Sequence, residues 1–145
     1  MNNSQATNTV MMIEPTNFRY NVETAVDNVY QNIKSNLSVS QITKQAIFEF
    51  HEFALKLNKS GVNVIQFKDN VQNNNPDAVF PNNWISTHAS GDIYLYPMCA
   101  SNRRQERRID ILDFLSNNFY IKNIDSSMLS HECSGRFLEG TGSMV

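Results

Sequence analysis

Trp84-Ile85-Ser86-Thr87-His88-Ala89-Ser90-Gly91-Asp92-Ile93-Tyr94-Leu95-Tyr96 is the stretch that decides the fold. Two runs of β-branched and aromatic residues, 84–87 and 93–96, flank a segment of turn chemistry. That pattern predicts a β-hairpin, which Pro97 closes. Asn102 then stands where it would cap a helix running through about Asn117. Ile109, Leu112 and Leu115 recur at spacing three, and Ile111 and Phe114 widen the stripe. Tyr120-Ile121-Lys122-Asn123-Ile124 reads as a short strand, and Phe137-Leu138 begins another. The order strand, strand, helix, strand predicts an α/β fold.

Upstream, Thr9-Val10-Met11-Met12-Ile13 is a short apolar run closed by Glu14-Pro15, the pattern of a buried strand. Asn21 is placed to cap a helix whose apolar positions are Val22, Ala25, Val26, Val29, Tyr30 and Ile33. A second helix is expected from about Ser40 to Lys59. Its stripe is Ile42, Ala46, Ile47, Phe50, Ala54 and Leu57, broadened by Phe53. Gly61 occupies the position of a helix-terminating glycine, and Val62 to Phe67 follows with strand composition. No repeat is visible residue by residue. The element order still suggests one supersecondary unit used more than once.

A chain of 145 residues is one domain in length. Twelve Lys and Arg against fourteen Asp and Glu leave a net charge of −2, which excludes the basic balance of a counterion-releasing nucleic-acid binder. No apolar stretch approaches the ~18 residues of a membrane span. Met1 to Thr9 has neither the basic nor the apolar region of a secretory signal. Two cysteines, Cys99 and Cys133, make no disulfide framework, so a reducing cytoplasm is the expected compartment.

Each candidate for chemistry has a plainer alternative. His51 sits beside Phe50 and Phe53 and reads as a core-edge histidine; His88 lies in the hairpin turn and reads as solvated. His131 and Cys133 would share a face of an extended segment, where the imidazole could lower the thiol pKa; the plainer alternative is a loop cysteine. No spacing matches a zinc site, and no nucleophile elbow or phosphate loop occurs, so neither metal nor cofactor is expected. Asn102 to Arg108 is the most basic stretch, with four arginines and no interleaved aromatics. Arginines at a helix N-terminus oppose the dipole preference, which hints that some of them hold a ligand carboxylate or buried acids. Phe80-Pro81-Asn82-Asn83-Trp84 sets two amides between aromatic walls. Leu138-Glu139-Gly140-Thr141-Gly142-Ser143 sets a carboxylate before two glycines.

Pro76 to Ser86, Leu95 to Met98, Asn102 to Arg108 and Phe137 to Met144, taken together, closely resemble the amidinotransferase and arginine deiminase superfamily, the penteins. The nearest branch is that of the citrulline-utilisation, or arginine deiminase-related, hydrolases. Thr9 to Pro15, Asn17-Phe18, Glu23 to Val26 and Gly61 to Val64 look like that branch as well. The resemblance implies a propeller of five strand-strand-helix-strand units around a polar site. There a cysteine attacks a guanidino or ureido carbon and a histidine moves protons. It implies Glu139 as the acid that orients the histidine, and Phe80, Asn82, Asn83 and Arg103 as substrate-binding positions. Deiminases carry an aspartate where this sequence has Asn83. An amide suits a neutral ureido group better than a guanidinium, which favours citrulline over arginine.

The family's histidine and cysteine lie downstream of the Glu139 loop, and none of His51, His88, His131, Cys99 or Cys133 matches them. The expectation is therefore the N-terminal part of one pentein domain, an incomplete propeller of about two units and the start of a third, inactive by itself. The expected function is hydrolysis of the C–N bond of citrulline or a related ureido or guanidino compound. An amidinotransferase, a non-catalytic binding module and a truncated remnant stand as alternatives. The expected partner is a small molecule, with no nucleic acid and no membrane. Open sheet edges leave room for a homo-oligomer.

Overall fold

The computed structural model describes residues 7–25, 36–70 and 72–140. The chain divides into two compact units, Met1–Asn21 with Tyr30–Val79, and Val22–Val29 with Phe80–Val145.

In the first unit, strand β1 (Thr9–Glu14) pairs in parallel with β2 (Asn63–Lys68), from Thr9 opposite Asn63 to Glu14 opposite Lys68. A parallel pair needs a long crossover, supplied here by helix α1 (Val39–Lys59). Ser38 caps α1 reciprocally: its hydroxyl accepts from the Gln41 N–H, and the Gln41 side chain accepts from the Ser38 N–H. The C-terminus closes as a Schellman motif, Gly61 N–H to Asn58 O and Val62 N–H to Leu57 O, both at 3.0 Å. Gly61 has φ +84°, a conformation that costs other residues a Cβ clash. The expected helix and strand are therefore present, and the glycine ends the helix where the sequence placed it.

The α1 stripe is narrower than expected. Phe50 and Ala54 are buried, whereas Phe53 is 54% exposed. Two strands ~5 Å apart cover only a narrow face of a helix. β1 is also only partly buried, with Ile13 at its centre of burial. Asn21 caps no helix among the described residues: it is buried, its amide donates to Asp77 Oδ2 at 2.6 Å, and 22–25 form a turn. The remainder of that expected helix, Val26, Val29, Tyr30 and Ile33, lies outside the described residues.

In the second unit, β3 (Ile85–Thr87) and β4 (Asp92–Leu95) form the expected antiparallel hairpin. Gly91, at φ +87°, makes its turn. After helix α2 (Ile109–Asn118), β5 (Asn123–Asp125) returns parallel to β4, giving the sheet order β3-β4-β5. Trp84, Ile93, Met98 and Ile111 lie at the centre of this core.

Three boundaries differ from expectation. The single helix expected from Asn102 is split into a 3₁₀ turn, Asn102–Glu106, and α2. Arg107 at φ −70°, ψ 100° breaks them apart. In a 3₁₀ turn residues i and i+3 eclipse, which puts Arg103 directly against Glu106. Ile109, counted in the apolar stripe, is 75% exposed, and the core face of α2 is Ile111 and Leu115. The last strand begins at Asn123 because the chain first bonds the hairpin turn, Lys122 N–H to Gly91 O at 2.8 Å. Phe137-Leu138 is irregular and fixed to Pro97 O by one hydrogen bond from Leu138 N–H. Both units are mixed α/β with small open sheets, and no closed barrel is formed among the described residues.

Candidate functional site

The two loop motifs meet in the second unit. Gly140 N–H bonds Asn83 O at 3.0 Å, and Leu138 N–H bonds Pro97 O at 3.0 Å, which holds Glu139 against the turn Pro81–Asn83. A Cβ at Gly140 would collide with the Asn82 carbonyl and lie 2.8 Å from Tyr96 Cε2. Only glycine lets the two loops approach this closely.

Glu139 is the point of convergence. Its Oε2 accepts from Asn83 Nδ2 at 3.1 Å and lies 3.5 Å from Arg103 Nη1; its Oε1 accepts from the Cys99 N–H at 3.3 Å. Arg103 is buried and forms a two-pronged pair with buried Glu106, Nε to Oε1 and Nη2 to Oε2, each 2.9 Å. The same guanidinium reaches Phe80 O and Asn83 Oδ1, both at 3.4 Å. Asn83 therefore bridges Arg103 and Glu139 with both ends of its amide. Among the described residues the cluster counts one guanidinium against two carboxylates, a net charge of −1. Phe80 places its ring at the surface, 47% exposed, and Asn82 is exposed beside it. Of the five positions singled out from sequence, Asn83, Arg103 and Glu139 are joined through side chains. Asn82 contributes its backbone to the Gly140 contact, and Phe80 its carbonyl. Glu106 was missed, although its spacing of three from Arg103 was the available signal.

The other arginines hold acids, as their number near a helix start had hinted. Arg107 grips both oxygens of Glu132 at 2.5 and 3.1 Å, and Arg104 Nε lies 3.5 Å from the same carboxylate. Arg104 also donates to Met98 O and Cys99 O, and Arg107 to Tyr96 O. The stretch after β4 is thus fastened along its carbonyls. Burial works against the charge of Glu132. Hydrogen bonds from Arg107 and the Met98 N–H, with the Arg107 and Arg104 charges, outweigh it and hold the pKa below the ordinary carboxylate value. Glu23 is held low chiefly by the Asn102 N–H, against slight burial, with help from Ser101 and the Arg104 charge.

Cys99 is exposed and meets the cluster through its backbone N–H on Glu139, whereas the histidines and Cys133 make no bond to the cluster among the described residues. Cys133 lies in a 3₁₀ helix, Ser127–Ser134, and not on an extended strand. At about three residues per turn, positions two apart point away from each other, so the shared face with His131 does not form. His51 is half-exposed and 3.4 Å from Glu14. His88 is exposed, and its Nε2 meets Ser86 Oγ at 2.9 Å. Ser86 Oγ in turn meets Tyr96 Oη at 2.6 Å. Among the described residues no group of three His, Cys, Asp or Glu side chains could hold a metal ion, and no helix is long and apolar enough to cross a membrane.

A hairpin, a returning parallel strand and a loop-built cluster of amide, guanidinium and carboxylate fit the class of pentein enzymes. Residues 14–145 match the family described as N,N dimethylarginine dimethylhydrolase, eukaryotic, and the chain belongs to that family of the pentein superfamily. The family is one of hydrolases that cleave an amidino C–N bond of small guanidino substrates. No curated protein and no solved structure matches the chain.

Proposed function

We propose that the protein hydrolyses a C–N bond of a guanidino compound of the arginine class, with the Glu139, Asn83 and Arg103 cluster receiving the planar head group. The observation that carries this reading is charge. Glu106 matches Arg103, so the Glu139 carboxylate, 25% exposed, leaves the cluster one negative charge in excess among the described residues. A guanidinium offers only donors and a positive charge, the complement of that carboxylate. The family's description, dimethylarginine dimethylhydrolase, points to the same substrate class. In the reaction water replaces an amine at the guanidino carbon: a C–O bond forms, a C–N bond breaks, the amine leaves with a proton, and a ureido group remains. The pentein resemblance assigns the attack to a thiol and the proton transfers to a histidine, which Glu139 would orient.

The second reading is citrulline as substrate, which the amide at position 83 favours over a carboxylate. Both ends of that amide are engaged, by Arg103 and Glu139, which weakens this reading relative to the first. Titration calorimetry of the chain with L-arginine and with L-citrulline separates them. Binding of arginine that weakens tenfold or more in Glu139→Gln supports the guanidino reading. Binding of citrulline alone, indifferent to Glu139→Gln, supports the second.

A further inference from the structure

Ser86, His88 and Tyr96 form a hydrogen-bonded chain on the hairpin of the second unit, running from the surface to the Glu139 loop. Ser86 Oγ lies 2.9 Å from His88 Nε2 and 2.6 Å from Tyr96 Oη. The period of two along a strand puts these side chains on one face, with Tyr94 opposite Ser86. The outer end is His88, which is exposed. The inner end is Tyr96, 3% exposed. Its ring edge abuts Gly140, where an added Cβ would lie 2.8 Å from Cε2 and 3.0 Å from Cδ2. Gly140 follows Glu139, so the tilt of the Tyr96 ring bears on where that carboxylate stands.

The chain has a direction set by His88. An unprotonated Nε2 accepts from the Ser86 O–H, and Ser86 Oγ then accepts from the Tyr96 O–H. Every hydroxyl proton has an acceptor. A protonated imidazole has only donors. Its Nε2–H must donate to Ser86 Oγ, which turns the Ser86 O–H toward Tyr96 Oη. The buried Tyr96 O–H is then left without an acceptor, because Ser86 is the one partner of that hydroxyl among the described residues. A buried hydroxyl in that state is costly, and a shift of the ring relieves it. Around His88 stand the Tyr94 ring, edge-on at 5.2 Å, and Asp92 across the turn, whose carboxylate accepts from Ser90 Oγ at 2.6 Å. From the β5 side, Tyr120 packs on Gly91 and the Lys122 N–H bonds Gly91 O.

We propose that Tyr96 is a positioning residue for Glu139, and that the chain through Ser86 makes the guanidino site sensitive to protonation of His88. What the site binds rests on the proposed function; the coupling from His88 to Gly140 does not.

The test follows the Gly140 amide and the His88 ring by NMR between about pH 8 and pH 5.5, where histidines titrate, with L-arginine calorimetry at both ends. In the wild type the Gly140 N–H, which bonds Asn83 O, should shift along the titration curve of the His88 ring. In Ser86→Ala and in Tyr96→Phe the ring should still titrate and Gly140 should no longer follow it. Arginine should bind about threefold or more weakly at the acid end in the wild type, beyond any change in His88→Gln, which keeps an acceptor but does not titrate. A Gly140 resonance that ignores the His88 titration overturns the proposal. So does one that follows it equally in Ser86→Ala, which would be an effect through space, or an arginine affinity with the same pH dependence in wild type and His88→Gln. A wild type that binds no arginine at either pH overturns the proposed function and with it the role in binding; the Gly140 response then decides the coupling by itself.

Discussion

Gly140 and Glu106 are the residues on which the second-unit cluster most depends, for different reasons. Gly140→Ala places a methyl group against the backbone carbonyl of Asn82, an atom that cannot swing aside. The expected cost is about 1–3 kcal/mol in urea unfolding, with Glu139 displaced from Asn83. Glu106→Ala leaves the Arg103 guanidinium buried without its two-pronged partner, and a loss of about 3–5 kcal/mol is expected in the same measurement. The two costs are separable: a double mutant with Arg103→Ala should recover part of the second loss and none of the first. Asn83, Glu139 and the glycine after it were legible in the sequence because loop motifs concentrate polar groups and glycine. Glu106 was not, because its spacing of three from Arg103 signals a pair on a helix but not that the pair is buried.

Among the elements, α1 was read almost to the residue because its signals are local: a helical stripe and a glycine past the end. Gly61→Ala should therefore cost about 1 kcal/mol, seen as reduced stability with the helix otherwise intact by circular dichroism. The region from Asn102 to Asn118 was misread because its geometry is set at long range. Arg107 leaves the helical path to reach Glu132, twenty-five residues away, and no periodicity reports that. The Glu132 clamp carries a pH signature. Its pKa is lower folded than unfolded, so its stabilisation is present above the unfolded value of ~4 and is lost as pH falls through the lower folded value. The stability difference between wild type and Glu132→Gln, followed by urea unfolding from neutral pH into acid, should shrink toward zero at the acid end.

At the scale of the whole molecule, the α/β class was legible from element order, since strands alternating with amphipathic stretches leave few other arrangements. The superfamily was legible from loop motifs, and the family match over residues 14–145 agrees with it. The substrate is not decided by Asn83, whose amide suits a neutral ureido group by type and is engaged at both ends in the structure. The central claim is that Glu139 serves hydrolysis of a guanidino compound. The decisive measurement is amine or ammonia release from N,N-dimethylarginine, arginine and citrulline by the protein, with Glu139→Gln and Cys133→Ala beside the wild type. Release from a guanidino substrate should fall about a hundredfold or more in Glu139→Gln and be unchanged in Cys133→Ala. Turnover that survives Glu139→Gln and disappears in Cys133→Ala would contradict it.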